Sequence, residues 1–490
     1  MTIHQTILDL LGKGIIIDPE AIRLIRSGNY ASFLGNINLN EGQILTKDLL
    51  LGLSANAQQI RQVEVLRQSK KVIAKDYQSK VNILSDYQEN HDTKDTGVFV
   101  KHFNDRYSKF RNFFANRLDV QKPVSIGRYA GNSAAVESKV SIIGMVVKKS
   151  KSKTGNTLIE VEDPTGQIVV LIRGDKDIGQ EKVLRDEVLA FSGNISKGYF
   201  FADKITWPDI RIRSSNDVAR TLDPISAVFL SDLHFGSGKF LNSVETKFIN
   251  WLKSDDPQAT KVKYIFIAGD IVDGIGVYPS QKDDLEIPDI YKQYSKFEEF
   301  VQKIPNHIQV IACPGNHDAV RGAEPQPALP KKFVPNLYGM DNVHLVSNPS
   351  MINIHAQECP GVNVLLYHGH SFVSLIDAIP ELRQHGISKP QYVMREILKR
   401  RHLAPLYGST TVSPEPKDHL VIEQVPDIFH SGELHSHCVD NYKGVTLINS
   451  STWQGQTAFI DRIGHTAVPG KVTIVDLQTR ATYVKDFYQS

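Results

Sequence analysis

Val310-Ile311-Ala312-Cys313-Pro314-Gly315-Asn316-His317-Asp318 is the stretch on which the fold turns. Its first four residues are a short apolar run, the pattern of a strand buried on both faces. The chain then switches to a Pro-Gly turn and three consecutive polar residues: an amide, an imidazole and a carboxylate. An apolar strand that ends in such a cluster places chemistry at the carboxyl end of a sheet, the usual location of sites in α/β proteins. Alone, the cluster says little, because a histidine after a strand is more often a structural residue.

Four further clusters give it meaning. Ala227-Val228-Phe229-Leu230 leads into Ser231-Asp232-Leu233-His234, and Tyr264-Ile265-Phe266-Ile267-Ala268 leads into Gly269-Asp270-Ile271-Val272-Asp273-Gly274. Val364-Leu365-Leu366 leads into Tyr367-His368-Gly369-His370, and Gly432-Glu433-Leu434-His435 comes last. Between the first two, Val244, Phe248, Trp251 and Leu252 fall on one face of a helix. Hard divalent ions prefer carboxylate and amide oxygens, whereas imidazole favours transition metals, so a mixed Asp/His/Asn set suits a pair of transition-metal ions. Two ions roughly 3.5–4 Å apart activate water and stabilise the leaving oxygen of a phosphodiester. One carboxylate must bridge such a pair, and Asp270 is the natural candidate.

The ordered set resembles the signature of the calcineurin-like metallophosphoesterases, over about residues 225 to 460. That resemblance implies an α/β domain built as a β-sandwich flanked by helices and two divalent ions, Mn²⁺ first, with Mg²⁺, Fe²⁺ or Zn²⁺ as alternatives. It implies Asp232, His234 and His435 with bridging Asp270 at one ion, and Asn316, His368 and Glu433 with Asp270 at the other. His317 would protonate the leaving oxygen, and Asp318 would orient His317. One position departs: the family's last motif is Gly-His-x-His, and here its second residue is Glu433. His430 and His437 lie close enough in sequence to be substitutes.

The stretches between the clusters are similar to the small-subunit family of archaeal family D DNA polymerases. They include Gly274-Ile275-Gly276-Val277-Tyr278-Pro279, Leu285-Glu286-Ile287-Pro288-Asp289-Ile290-Tyr291, Glu324-Pro325-Gln326-Pro327-Ala328-Leu329, Lys399-Arg400-Arg401-His402-Leu403-Ala404-Pro405 and Asn449-Ser450-Ser451-Thr452-Trp453-Gln454. This resemblance implies a proofreading 3′→5′ exonuclease for single-stranded or mismatched 3′ ends, a large polymerase subunit as partner, and indirect contact with a sliding clamp. Two other readings stand beside it: a non-catalytic scaffold subunit with a partly degenerate site, which Glu433 favours, and a free-standing phosphatase for a small molecule, which the additional N-terminal regions disfavour.

Outward from these motifs the chain reads as several domains, as its 490 residues require. Residues 1–55 read as a helical N-terminal module, with Ile7, Leu8, Leu10 and Leu11 on one face and Asp18-Pro19-Glu20 starting a second helix that carries Ile22, Leu24 and Ile25. Residues 56–97 read as a polar linker. Residues 98–137 read as a helical connector whose aromatics, Phe103, Tyr107, Phe110, Phe113 and Phe114, recur at helical spacing with Arg106, Lys109 and Arg111 between them. A buried face with solvated charges opposite is the simpler account, and DNA contact the alternative. Residues 138–215 hold five short β runs separated by Gly and Asp-Pro turns, the pattern of an OB-type barrel. Residues 222–490 hold the phosphoesterase motifs.

The net charge of +2 excludes a global basic field, so DNA contact has to come from a local patch. Lys399, Arg400 and Arg401 offer one, although a solvated helix face or a subunit contact fits that segment equally well. The three cysteines, Cys313, Cys359 and Cys438, form no CxxC pair. That points to a reducing compartment and to neither a zinc ribbon nor a disulfide framework. The start of the chain has no secretory signal pattern, and no apolar run nears the ~20 residues of a membrane span. A cytoplasmic location with no membrane partner is expected.

Overall fold

The computed structural model describes residues 7, 11, 16–27, 44–47, 50, 74–89, 96–115, 117–129, 139–214, 216–462 and 464–489. The chain divides into two compact units, residues 1–72 and 73–490.

In the first unit, β1 (Ile16–Ile17) pairs in parallel with β2 (Ile44–Leu45), a pairing that the helical reading did not contain. The helix Pro19–Ser27 follows β1. Proline opens it because the first helical position needs no amide donor, and the Asp18 carbonyl accepts from Ile22 N at 3.0 Å. Ala21 and Ile25 are buried, as is Ile7, but Leu11 is exposed. Leu8 and Leu10 lie outside the described residues.

The second unit carries a barrel and a sandwich. The barrel strands are β5 (Val140–Lys151), β6 (Thr157–Asp163), β7 (Gly166–Ile172), β8 (Val188–Ser196) and β9 (Tyr199–Thr206). Their order is β5-β6-β7-β9-β8, and β8 returns to pair with β5, which closes the sheet. Inward residues such as Ile142, Ile159, Val161, Val170, Phe191 and Phe200 fill the interior.

Two six-stranded sheets make the sandwich. The first contains β10 (Ser226–Leu230), β11 (Val262–Ala268), β12 (Gln309–Cys313), β13 (Val343–Leu345), β19 (Lys471–Asp476) and β20 (Thr482–Asp486), in the order β13-β12-β11-β10-β19-β20. The second contains β14 (Ser350–Ile354), β15 (Val362–Leu366), β16 (Ile428–Ser431), β17 (Cys438–Tyr442), β18 (Val445–Asn449) and an early strand, β3 (Val81–Ser85), in the order β17-β18-β16-β15-β14-β3. Side chains alternate across each sheet. Ala227, Phe229, Phe266 and Ile311 pack against Ile352, Val364, Ile428 and Ile448 between the sheets. Val228, Leu230, Ile265 and Val310 face the helices Asn242–Leu252 and Ile290–Lys303 on the outside. Leu365, Phe429 and Leu447 face the helix Pro390–Arg400 on the other side. Both faces of the central strands are therefore dry, which is why they read as unbroken apolar runs.

Three expectations need correction. The region read as a polar linker contains β3, an edge strand paired antiparallel with β14. Beyond it the Asp86 carboxylate accepts from Ser347 N at 2.7 Å, and Tyr87 OH donates to Glu415 at 2.9 Å. Among the described residues of the helical connector, the α-helix covers Gly97–Ala115 and one short 3-10 turn covers Ile126–Arg128. Pro123, which has no amide donor, opens the two-residue strand β4 (Pro123–Val124) alongside β5. Finally, one base of this helix is turned inward, while Arg111 stays exposed. Arg106 is buried, and its Nε donates to Asp418 Oδ2 at 2.6 Å. Phe110 and Phe114 pack on Ile143, Met145 and Val188 of the barrel and on Val421.

Arg400 locks the same junction. It is buried and ion-paired with Glu187, at 2.5 Å, and with Glu396. No helix among the described residues is long and apolar enough to cross a membrane.

Removing one partner of a buried pair strands the other charge, so Arg400→Ala is expected to lower unfolding free energy by about 3–5 kcal/mol, against about 1 kcal/mol or less for Lys399→Ala, in urea titrations. His402 should give a pH signature. Its Nε2 donates to Asp418 at 2.9 Å while Nδ1 accepts from Ala404 N. Burial, with Arg106 beside it, pushes it down to about 4. Because the folded state binds the proton more weakly than the unfolded chain, its contribution is full above about pH 6.5 and is lost as pH falls toward 4, a decline of about 3 kcal/mol that His402→Gln should remove.

Candidate metal centre

The parallel strands β10, β11 and β12 of one sheet and β15 and β16 of the other end at the site and deliver the five polar clusters. The chain leaves them in left-handed backbone conformations: φ is 51° at Asp232, 52° at His234, 47° at Asp270, 69° at Glu433 and 48° at His435. Non-glycine residues held in this region cost of order 1–3 kcal/mol each and persist where the surroundings over-determine them. Here the loops are laced together. Asp232 N donates to Gly269 O and His234 N to Asp270 O, both at 3.0 Å, and Gly432 N donates to His368 O at 2.8 Å. Glycine is required where loops touch side chains: a Cβ at Gly315 would lie 2.2 Å from Asp270 Oδ1.

One donor set forms around His234 and His435, whose Nε2 atoms are 3.0 Å apart. His435 Nε2 lies 3.4 Å from Asp232 Oδ1, and His234 Nε2 lies 3.9 Å from Asp270 Oδ2. Ligand atoms of Asp232, His234 and His435 all fall within 4.8 Å of one another. His234 Nδ1 is 3.1 Å from Asp273 Oδ1, a carboxylate that fixes the ring and directs Nε2 inward.

The second set forms around His368. Its Nδ1 donates to the Ala268 carbonyl at 2.7 Å, since that oxygen only accepts. The free Nε2 then meets Asn316 Oδ1 at 2.9 Å, Glu433 Oε2 at 2.9 Å and Asp270 Oδ1 at 3.3 Å. Glu433 thus takes its place in the set, and Oε2 is buried with no hydrogen-bond partner. His430 and His437 stay outside. His430 bonds Ser450 Oγ and His437 bonds Thr473 Oγ1.

Lone pairs of imidazole and carboxylate converge in both sets, joined by an amide oxygen in the second, an arrangement that a divalent cation satisfies. These residues therefore fit an ion pair with Asp270 shared between them. Burial works against ionisation of Asp270, but His368, His317 and His234 outweigh it and hold the carboxyl well below its usual range.

His317 stands at the rim. Its Nδ1 donates to the Asp273 carbonyl at 2.8 Å, leaving Nε2 directed at the site, 3.9 Å from Asp270 Oδ2. Burial favours the neutral ring, yet Asp270 and the Asp273 carbonyl prevail and raise its pKa. The expected role of Asp318 is corrected here. Asp318 accepts from Gly315 N at 2.8 Å, Ile271 N at 3.2 Å and Tyr294 OH at 3.0 Å, so it ties two site loops together rather than orienting the His317 ring. Burial and the nearby Asp270 push it up to about 6. Asp273 holds both histidines instead. Its only sequence signal is the second acid of Gly269-Asp270-Ile271-Val272-Asp273-Gly274. Asn348, whose Oδ1 accepts from His368 N at 2.9 Å, had none.

The basic patch is also corrected. Arg400 is buried in its ion pairs. Arg401 lies over the Phe113 ring at 3.7 Å with its Nε on the Ile422 carbonyl, and Lys399 lies over Trp207 at 4.6 Å. Arg400 matches the buried acids of the junction, whereas Arg401 and Lys399 rest on aromatic rings and carbonyls of the protein itself.

A cleft of about 490 Å³ opens over the two sets, floored by His234, Asp270, Asn316 and Glu433. Its walls include Val277, Tyr278, Val373, Ile387 and Ile460. The volume lies within the range of small-ligand sites.

A sandwich of two sheets between helices, with an Asp/His/Asn/Glu cluster at the strand ends, gathers side chains of the kind that could hold divalent metal ions. Residues 227–439 match the sequence family of the B subunits of DNA polymerases alpha and epsilon. The DNA polymerase II small subunit of Archaeoglobus fulgidus is 41% identical over 383 residues, covering 77% of this chain and 74% of that protein. That of Thermoplasma acidophilum is 37% identical, covering 79% and 78%, and that of Pyrococcus abyssi is 38% identical, covering 80% of this chain and 63% of the longer relative. A solved chain described as a novel archaeal phosphodiesterase is 14% identical at a TM-score of 0.28, covering 53% of this chain and 99% of its own, a likeness too slight to inform the fold. The chain belongs to the family of archaeal DNA polymerase II small subunits.

Asp273→Asn should weaken Mn²⁺ binding about 10–100-fold in titration calorimetry, because partners that orient ligating histidines typically carry that much affinity. His437→Gln should leave it unchanged.

Proposed function

We propose that this chain is a metal-dependent 3′→5′ exonuclease that removes mismatched or single-stranded 3′ ends in company with a large polymerase subunit. The observation that carries this reading is the position of Asp270, whose Oδ1 faces the His368 set at 3.3 Å and whose Oδ2 faces the His234 set at 3.9 Å. One carboxylate reaching two donor sets is what a dinuclear phosphoesterase needs. Two divalent ions, Mn²⁺ first, with Mg²⁺, Fe²⁺ or Zn²⁺ as alternatives, would supply an activated water and charge neutralisation.

The chain's own groups do the rest. Asp232, His234, His435 and Asp270 would hold one ion, and Asn316, His368, Glu433 and Asp270 the other. His317, its Nδ1 anchored on Asp273, keeps a proton on Nε2 at the rim and delivers it to the departing 3′ oxygen. Asp318 acts by position, holding the Gly315 loop that carries Asn316 and His317. The apolar wall of Val277, Tyr278 and Ile460 seats an unpaired base.

Residues 222–490 form the nuclease domain on this reading, and the barrel within 138–215 serves assembly with the large subunit. Any sliding clamp is met through that subunit. The scaffold alternative drew its support from Glu433, whose carboxylate turns into the second set.

Labelled single-stranded and mismatched-primer DNA, incubated with the full chain and its large subunit in Mn²⁺, tests the proposal. Cleavage from the 3′ end that chelator abolishes is expected, with His317→Ala slowing it about 10²–10⁴-fold. Asp270→Ala should abolish it. Unchanged cleavage in both variants would place the nuclease elsewhere, and tight assembly without cleavage under any metal would leave the scaffold.

A further inference from the structure

We infer that the two metal positions are chemically unlike, one selecting a borderline transition ion and the other a hard ion such as Mn²⁺ or Mg²⁺. This rests on the dinuclear reading above and goes beyond it, because it assigns a different preference to each position. The inference follows from the donors. Around His234 the set comprises two imidazole nitrogens, from His234 and His435, with oxygens of Asp232 and Asp270. Around His368 it comprises one imidazole nitrogen with oxygens of Asp270, Asn316 and Glu433. Imidazole suits zinc and iron, whereas carboxylate and amide oxygens suit magnesium and manganese.

Glu433 makes the difference. Its backbone is held in the left-handed region, and its amide donates to both oxygens of Asp232 at 3.2 Å, which fixes the point from which the side chain reaches the second set. Oε2 sits 2.9 Å from His368 Nε2 without a hydrogen-bond partner. Oε1 lies 3.9 Å from His370 Nδ1, which leaves Oε2 as the inward donor. An imidazole at this position would equalise the two sets at two nitrogens each.

The test uses the full-length chain stripped of metal and then equilibrated with one equivalent of Zn²⁺ and an excess of Mn²⁺. Bound metal is counted by mass spectrometry, and positions are assigned from anomalous scattering at the two absorption edges. The expected result is one Zn²⁺ at Asp232, His234 and His435 and one Mn²⁺ beside Glu433. With Zn²⁺ raised to two equivalents, Glu433→His should shift the Zn:Mn ratio at the second position at least tenfold toward zinc, leaving the first unchanged. Glu433→Gln keeps an oxygen donor and should retain manganese there with weaker binding. Zinc spread equally over both positions, or a ratio indifferent to Glu433→His in a variant that still binds two ions, overturns the inference. Fewer than two bound ions in the wild-type chain would overturn the dinuclear reading itself.

Discussion

Asp270 stands between imidazoles contributed by the two sheets, His234 beyond β10 and His368 beyond β15. Everything else around the site keeps that carboxylate where it is. Its own backbone is left-handed, and its carbonyl accepts from His234 N. Its Oδ1 also accepts from His317 N at 2.9 Å. The loops could not take these conformations alone, since each left-handed residue opposes folding. They are affordable because the strands beneath them are dry on both faces and carry the favourable burial. Metal binding would add to the same balance, because an ion held only by the folded state stabilises that state.

The sandwich is mounted on the barrel through charges removed from water. Arg106 with Asp418, and Arg400 with Glu187 and Glu396, are buried ion pairs. Such pairs contribute little net stability compared with apolar packing, but a misplaced partner is heavily penalised. Their effect is to permit one relative placement of the helix Gly97–Ala115, the barrel and the helix Pro390–Arg400. Burial of Phe110 and Phe114 in the same junction supplies the attraction that the ion pairs lack.

Some of this was legible in the chain and some was not, for physical reasons. Strands β10, β11, β12 and β15 announced themselves because burial on both faces demands unbroken apolar runs. The barrel strands were legible through their turns. The ligand candidates were legible because five clusters recur in a fixed order at strand ends. Strand β3 was not, since Val81-Asn82-Ile83-Leu84-Ser85 is an edge strand with no fully buried residue, and Ile83 and Leu84 on its opposite faces both remain exposed. The fate of Lys399, Arg400 and Arg401 was hidden because a run of cations looks the same whether it meets water, phosphate or the acids of a neighbouring domain. Asp318 was misassigned, and Asp273 left without a role, for a similar reason. Adjacency to His317 suggested a contact, but the imidazole meets a carbonyl 44 positions away in sequence, and no local pattern encodes that distance.

The cleft gives the site a direction. Its floor is polar and anionic, while Val277, Tyr278, Val373, Ile387 and Ile460 make its walls apolar. A phosphodiester bound there would leave its adjoining base against the apolar side. A base still paired in a duplex keeps its stacking and hydrogen bonds and gains nothing by entering, whereas a mismatched terminal base has little to lose. On the proposed reading, selection for frayed ends therefore needs no recognition of base identity. It follows from setting an apolar wall beside a dinuclear floor in a cleft of about 490 Å³, with His317 at the boundary between them.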